Sequence, residues 1–381
     1  MMKNDRGLPG PRPRIGIDLH VAQGIFQGSR THCLELFSRV IAIAPEYDFF
    51  VFSTDPQTLL SFSNSFALPH VTLVNMPKHS ASFRLLWQLP RMALKYRLSL
   101  LHMQYIAPPV PFCKTAVTIH DILFESHPQY FERSFVLRSR LLMPFSARRS
   151  SALFTVSEFS RQALSNTYSI PLSKIYTIHN GVDTARYIPG NTGREQVEVL
   201  GLNPGSYYLS VGRLEPRKNY PALLRAWAQM PLPRLPLVIV GQRHFQCGDI
   251  FDLIRDLRLE KSVTVLEEIS DMQLPAIYRN ARGFIYCSWA EGFGMPLLEA
   301  MASGVPVVSS ANTALTEVCA DAALLINPAH PKEIVDAIMR LEENTELRKQ
   351  LIERGLSRVQ QFKWEQSAQT VRSTYSAIVG R

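Results

Sequence analysis

The sequence is poor in the features that most quickly betray a chemistry. Its five cysteines, Cys33, Cys113, Cys247, Cys287 and Cys319, are far apart, and no two form a C-x-x-C pair. Neither a zinc site nor a disulfide framework is expected; buried free thiols are the plain reading. No run of about 18 uninterrupted apolar residues occurs, so no transmembrane helix is expected. The opening segment, MMKNDRGLPGPRPR, is polar and proline-rich. It lacks the apolar core of a signal peptide, so a cytoplasmic location is expected. No G-x-G-x-x-G follows a strand pattern, which argues against a dinucleotide-dependent oxidoreductase. No D-x-D triplet occurs either, which removes one common way of holding a divalent metal.

What is present begins with size and charge. A chain of 381 residues, 46% apolar and 19% charged, is a globular protein long enough for two domains. The net charge is +9, and all of the excess lies in the first half. Up to residue 190 there are 20 Lys/Arg against 11 Asp/Glu; from residue 191 there are 21 of each. Residues 81–150 carry 10 basic and 3 acidic side chains. A basic half calls for an anionic partner. Segments 82–101 and 131–150 interleave those bases with apolar and aromatic residues, a pattern that suits an anionic membrane surface. Two ordinary helices with a solvated basic face would look the same. A nucleic-acid partner is not expected, because the second half is neutral and no recognition motif appears.

Short, β-branched, almost wholly apolar runs alternate with helical patterns. In the first half these runs are 14–19, 48–53, 71–75, 98–104, 115–121, 152–157 and 174–180. Strands buried on both faces read this way, so a doubly wound parallel sheet is expected. Helical patterns fall at 82–97, 131–149 and 158–168. The series restarts at 207–212, 236–241, 262–267, 283–288, 305–310 and 323–327. The expected class is α/β, with Rossmann-like domains at 14–185 and 207–363, a linker at 186–206 and a final helical segment, 364–381. Ligands of such sheets bind at the carboxyl ends of the strands.

Two strand ends carry chemistry. After the 207–212 strand, Gly212, Arg213 and Lys218 make an anion site beside a helix start. Glu215 and Arg217, in the plain alternative, form a surface pair. The second strand end is EGFGMPLLEA, residues 291–300. Gly292 and Gly294 let backbone amides approach a ligand, and Pro296 suits the first turn of a helix over 296–302. The positive helix end favours an anion. Carboxylates would repel it, so Glu291 and Glu299 are expected to accept hydrogen bonds from hydroxyls instead, Glu299 from a ribose. Phosphate between two polyols describes a nucleotide sugar. A capping Glu299 and a solvated Glu291 are the bland alternative.

EGFGMPLLEA followed by MASGVPVVSS resembles the E-x7-E signature of the retaining glycosyltransferases of family 4, which have the GT-B fold. GRLEPRKN resembles that family's phosphate-binding loop, and HNGVD (179–183), VSEFSR (156–161) and TIHD (118–121) resemble further segments in the right order. The match runs from about residue 14 to 375. The resemblance implies two Rossmann-like domains facing across a cleft. It implies that Arg213 and Lys218 hold a diphosphate, Glu299 the ribose, and Glu291 with the amides of Phe293, Gly294 and Met295 the transferred sugar. Gly212, Gly292, Pro296 and Leu297 would complete the donor site. His120, with Asp121 beside it, would stand at the reaction centre. The family's glycine-rich segment corresponds to 20–32, where Gly24 and Gly28 are not adjacent; Gly28 is the expected contact, with Ser29 able to begin the helix.

Transfer of a hexose from a nucleotide sugar to a glycan or lipid-linked acceptor is therefore expected, GDP-mannose being the favoured donor. No metal or other cofactor is expected, and a peripheral place on the inner face of the cytoplasmic membrane is compatible with the basic segments. A UDP-sugar donor with a soluble acceptor, or a sugar-nucleotide epimerase of the same architecture, stays open.

Overall fold

The computed structural model describes residues 11–22, 28–244 and 248–380. Gly24, Cys247 and the first ten residues lie outside the described residues. Among the described ones, two parallel sheets account for thirteen strands. The first contains β1 (Arg14–Asp18), β2 (Asp48–Ser53), β3 (Val71–Asn75), β4 (Leu100–Gln104), β5 (Lys114–Thr118), β6 (Ala152–Thr155) and β7 (Ile175–Thr177), in the order β3-β2-β1-β4-β5-β6-β7. The second contains β8 (Tyr208–Val211), β9 (Leu237–Val240), β10 (Val263–Leu266), β11 (Gly283–Tyr286), β12 (Val307–Ser310) and β13 (Ala323–Ile326), in the order β10-β9-β8-β11-β12-β13.

The expected α/β class is observed, and every apolar run named from sequence is a strand. In β1, Ile15 and Ile17 point to opposite cores from Gly16 and Asp18, yet all four are buried. That double burial is why alternation is missing from the sequence. Several strands, though not β2, β3, β4 or β12, end earlier than their apolar runs. β5 stops at Thr118, and His120 and Asp121 leave the sheet toward the second domain. The segment 186–206, expected to be a linker, holds a short helix, Arg194–Val199, whose buried Val197 sits in the second domain's core. No described helix is long and apolar enough to cross a membrane. Cys33, Cys287 and Cys319 are buried free thiols, and Cys113 is half-buried.

Helices cover both faces of the first sheet. On one face lies Gly28–Ile43, and against it packs Trp364–Val379, the last helix of the chain. Trp364, Ala368, Val371 and Tyr375 recur at helical spacing and are all buried in that core. On the other face lie Leu89–Tyr96 and Arg133–Arg149, whose Leu89, Ala93, Val136, Met143 and Ala147 share one core. The helical pattern at 82–97 is not a single α-helix. Arg84–Gln88 is a π-turn between two α-helical pieces. Arg84 pairs there with the buried Asp18 at the end of β1, and Asp18 also accepts from His20. One extra residue in the turn is a common way to aim a side chain at such a partner.

Three histidines are buried under the first sheet. His102 Nδ1 is 2.6 Å from the Tyr375 hydroxyl, and its Nε2 is 2.8 Å from Thr118 Oγ1. His32 Nδ1 is 2.7 Å from Asn180 Oδ1, and the His32 ring meets His120 edge-on at 4.5 Å. Burial holds His32 down at about 4, His102 at about 3, and His120 well below its usual value. Unfolded histidines take up protons near pH 6.5. Their contribution is therefore present above pH 6.5 and is lost as pH falls below it. Glu299, pushed up to about 7 by burial, and Asp121 and Glu35, whose carboxyls burial also raises, hold protons in the fold and offset part of this loss between about pH 6.5 and 4.5. Urea denaturation across that range should show midpoints falling steeply with acid; a flat profile would mean the histidines are charged in the fold.

Candidate functional site

The carboxyl ends of β8 and β11 face the carboxyl ends of β4 and β5 across a cavity of about 330 Å³. Its wall includes Gly212, Arg213, Arg217, Lys218, the loop Glu291 to Pro296 (without their neighbours Ala290 and Leu297) and Glu299. From the first domain come Gly28, Tyr105, His120, Asp121 and Asn180. The structure thus brings together every expected site residue except Leu297. That side chain is fully buried in the second domain's core, and its amide is spent on the Gly294 carbonyl at 3.0 Å.

After β8 the chain makes a 3-10 turn, Pro216–Lys218, closed by Asn219 in the left-handed region. This turn lays three cations beside two carboxylates. Arg213 NH2 lies 3.2 Å from Glu215 Oε2, and Arg217 NH2 lies 2.6 Å from Glu215 Oε1. Arg217 NH1 lies 2.6 Å from Glu291 Oε2, and Lys218 Nζ lies 2.8 Å from Glu291 Oε1. Lys218 also donates to the Tyr286 hydroxyl at 2.6 Å. The string alternates in sign and keeps one net positive charge. It is largely withdrawn from water, with Glu215 and Glu291 buried. Arg217 is the member the sequence reading left at the surface. Its side chain is only 13% exposed, and it is the link between the two carboxylates. A second cation immediately before Lys218 was the available signal, but adjacency does not say which side chain turns inward.

The two glutamates of the E-x7-E pair are in opposite electrostatic situations. Burial pushes the Glu291 carboxyl up, but Arg217 and Lys218 overcome it and hold it at about 2. Glu299 is buried without an ion pair among the described residues, and its carboxyl rises to about 7, the Tyr278 hydroxyl pulling the other way. Burial also draws Lys218 down despite its carboxylate partner. The helix starts at Met295 rather than Pro296, which puts Glu299 in its second turn, away from the dipole-capping positions. Gly294 caps that helix at φ 106°, a left-handed conformation that a side chain would strain. The amides of Phe293, Gly294 and Met295 donate to no other described residue.

The first domain grips this loop directly. A Cβ on Gly292 would lie 2.5 Å from Asp121 Oδ2, so only glycine allows the two to meet. Ser157 Oγ donates to the Gly292 carbonyl at 2.7 Å. Glu317, from the second domain, accepts from the amides of Glu158 and Phe159 at 2.9 Å each and lies 3.0 Å from His179 Nε2. His120 Nε2 is 2.9 Å from Gln104 Oε1. Asp121 Oδ1 accepts from the Leu123 amide at 3.0 Å, while burial pushes its carboxyl up. Gly28 opens its helix opposite Met295, with 3.8 Å between the position of a Cβ and the sulfur. Ser157, Glu317 and Tyr286 carry no local sequence signal of these roles, since each acts across the cleft or across the sheet.

Two parallel-sheet domains that face each other over a cationic, glycine-lined cavity define the GT-B class of fold. Comparison with known proteins is consistent over nearly the whole chain. Residues 26–186 match the family model described as Glycosyltransferase Family 4, and residues 194–358 match Glycosyl transferases group 1. O-antigen chain mannosyltransferase B of Escherichia coli is 33% identical over 271 residues, covering 70% of this chain and 71% of that protein. O-antigen chain mannosyltransferase RfbU of Salmonella typhimurium is 31% identical over 232 residues, covering 60% of each chain. Among solved structures, sucrose-phosphate synthase from Thermosynechococcus elongatus superposes with a TM-score of 0.77 at 21% identity, over 97% of this chain and 100% of that one. WaaG, a glycosyltransferase involved in lipopolysaccharide biosynthesis, superposes at 0.74 and 16% identity, over 96% and 100%. The chain belongs to the family 4 glycosyltransferases.

Proposed function

We propose that the protein transfers a hexose, with mannose from GDP-mannose as the favoured donor, to a glycan or lipid-linked acceptor of surface polysaccharide synthesis, with retention of configuration. The observation that carries this reading is the buried string Arg213–Glu215–Arg217–Glu291–Lys218 beside the free amides of the Met295 helix start. The names of the mannosyltransferase relatives support the choice of sugar.

In this reading the bond between the anomeric carbon and the diphosphate oxygen breaks, and negative charge grows on the phosphate. Arg213, Arg217 and Lys218 meet that charge by exchanging part of their contact with Glu215 and Glu291 for it. These cations, together with the free amides of the Met295 helix start, would take the part that a divalent metal plays elsewhere. Glu291 turns to the hydroxyls of the transferred sugar, and Glu299 to the ribose diol. A carboxylate near pH 7 binds a diol better ionised. The acceptor oxygen bonds to the anomeric carbon on the face the phosphate leaves, and its proton goes to the departing phosphate oxygen. His120 and Asp121 line the point of transfer, and the buried loop keeps competing water away.

A peripheral place on an anionic inner membrane surface fits the exposed side of the first domain. Leu137, Leu141 and Phe145, spaced by four along Arg133–Arg149, are 75%, 74% and 47% exposed. Leu86, Trp87 and Leu94 are exposed on the neighbouring helix of the same layer. Arg91, Lys95, Arg133, Arg138, Arg140, Arg148 and Arg149 stand on the same two helices, all exposed. Apolar side chains flanked by arginines suit an interface of anionic headgroups.

Thermal-shift screening with GDP-mannose and with UDP, dTDP and ADP sugars tests the donor. GDP-mannose should raise the melting temperature most, and a larger shift with a UDP sugar would reassign the base. Lys218→Ala should cost about 2–4 kcal/mol of transition-state stabilisation, or roughly 30- to 900-fold in kcat/KM. Unchanged turnover would remove Lys218 from the site.

For the membrane, sedimentation with phosphatidylglycerol vesicles should carry the protein down at low salt and release it at high salt. The triple variant Leu137→Ser, Leu141→Ser, Phe145→Ser should stay in solution. Equal binding to neutral and anionic vesicles contradicts the electrostatic part of this reading.

A further inference from the structure

Eight described residues other than glycine have positive φ, and Tyr105 alone among them lines the cavity. It follows β4 immediately, with φ 64°. The Ile106 amide donates to the Gln104 carbonyl at 2.8 Å, closing a three-residue turn across Tyr105. A γ-turn with positive φ at its centre is the rarer and more strained of the two forms. Glycine would make this turn without strain, whereas a bulky aromatic there is an outlier. Such strain persists when surrounding contacts over-determine it, and it gathers at functional sites. Here the Tyr105 amide is fixed to the Thr118 carbonyl at 2.8 Å, and its ring leans on His120 at 5.3 Å between centroids.

The chemistry of the opposite wall says what this ring faces. Phosphate, ribose and the transferred sugar are provided for by the cations, carboxylates and amides of the second domain. The acceptor must then approach from the first domain, past His120 and Asp121. Among the described residues, Tyr105 contributes the one phenyl-type ring on that side of the cavity. A pyranose has a face of C–H bonds that packs on an aromatic ring, and hydroxyls that a phenol can bond. Burial and the neighbouring Asp121 push the phenol's pKa up, so it keeps its proton and stays a donor.

We propose that Tyr105 is the acceptor platform of the site: its ring stacks on the pyranose that receives the transferred sugar, and its hydroxyl donates a hydrogen bond to that pyranose. The strained turn is the means of presenting the ring. The inference rests on the glycosyl-transfer reading and adds the residue that positions the acceptor.

Calorimetric titration of the GDP-saturated protein with methyl α-D-mannopyranoside, methyl α-D-glucopyranoside and methyl N-acetyl-β-D-glucosaminide tests it. At least one of the three should bind the parent protein. Tyr105→Phe should weaken that binding about 5-fold, the net worth of one neutral hydrogen bond. Tyr105→Gly, which relaxes the turn, should weaken it at least 20-fold, with Tyr105→Asn as a second variant that tolerates the backbone. The GDP dissociation constant, read from the same samples, should change less than 2-fold. The inference is overturned if none of the pyranosides binds the parent, if binding survives in Tyr105→Gly, or if GDP affinity falls in step with pyranoside affinity. Failure of GDP itself to bind the parent would instead count against GDP-mannose as the donor.

Discussion

The structure depends on one electrostatic arrangement: three cations and two carboxylates strung together at the carboxyl end of β8, out of water. Isolated buried charges are expensive, and removing one member of such a string strands the others. Alternation is what allows Arg217 and Lys218 to stay charged there. Glu291 holds the same two cations that a diphosphate would claim. Glu291 thus keeps the cations assembled, and in the proposed reading an arriving phosphate has to share or displace it.

The fold brings that cradle within reach of the other domain. Gly292, one residue beyond Glu291, is pressed against Asp121 and held through its carbonyl by Ser157. Ser157 also caps the helix Glu158–Tyr168, whose first amides are taken by Glu317 of the second domain. His179, near the crossing between domains, joins Glu317 and packs against Phe293 and Phe362. The Gly292 loop, Asp121 and the His179 crossing thus share contacts. A movement of one domain against the other would change the environment of Glu291 and Asp121 together.

Much of this was legible in the sequence because it follows from local composition. Strands buried on both faces are apolar throughout, and all thirteen runs are strands. Arg213, Lys218, Glu291, Glu299 and the two glycines were readable as a cradle because strand ends, a proline at a helix start and charge of alternating sign converge in short segments. What was not legible is tertiary. Arg217 reads as half of a surface pair until Glu291 comes to meet it from 74 residues away. The π-turn at Arg84–Gln88 answers to a buried Asp18 that no helical pattern reveals. Tyr105 reads as an ordinary residue after a strand, since φ is not written in composition. β5 ends three residues short of its apolar run, and the Met295 helix begins one residue before Pro296.

The central claim is that Glu291 and a diphosphate compete for Arg217 and Lys218. The direct measurement is the GDP dissociation constant of Glu291→Gln against the parent, by calorimetry at pH 7. GDP carries no sugar, so the carboxylate's role toward the hexose does not enter. Removing a negative charge beside two low-dielectric cations should make GDP bind at least about five-fold tighter, even as sugar transfer falls. Equal or weaker binding of GDP to Glu291→Gln would contradict the account.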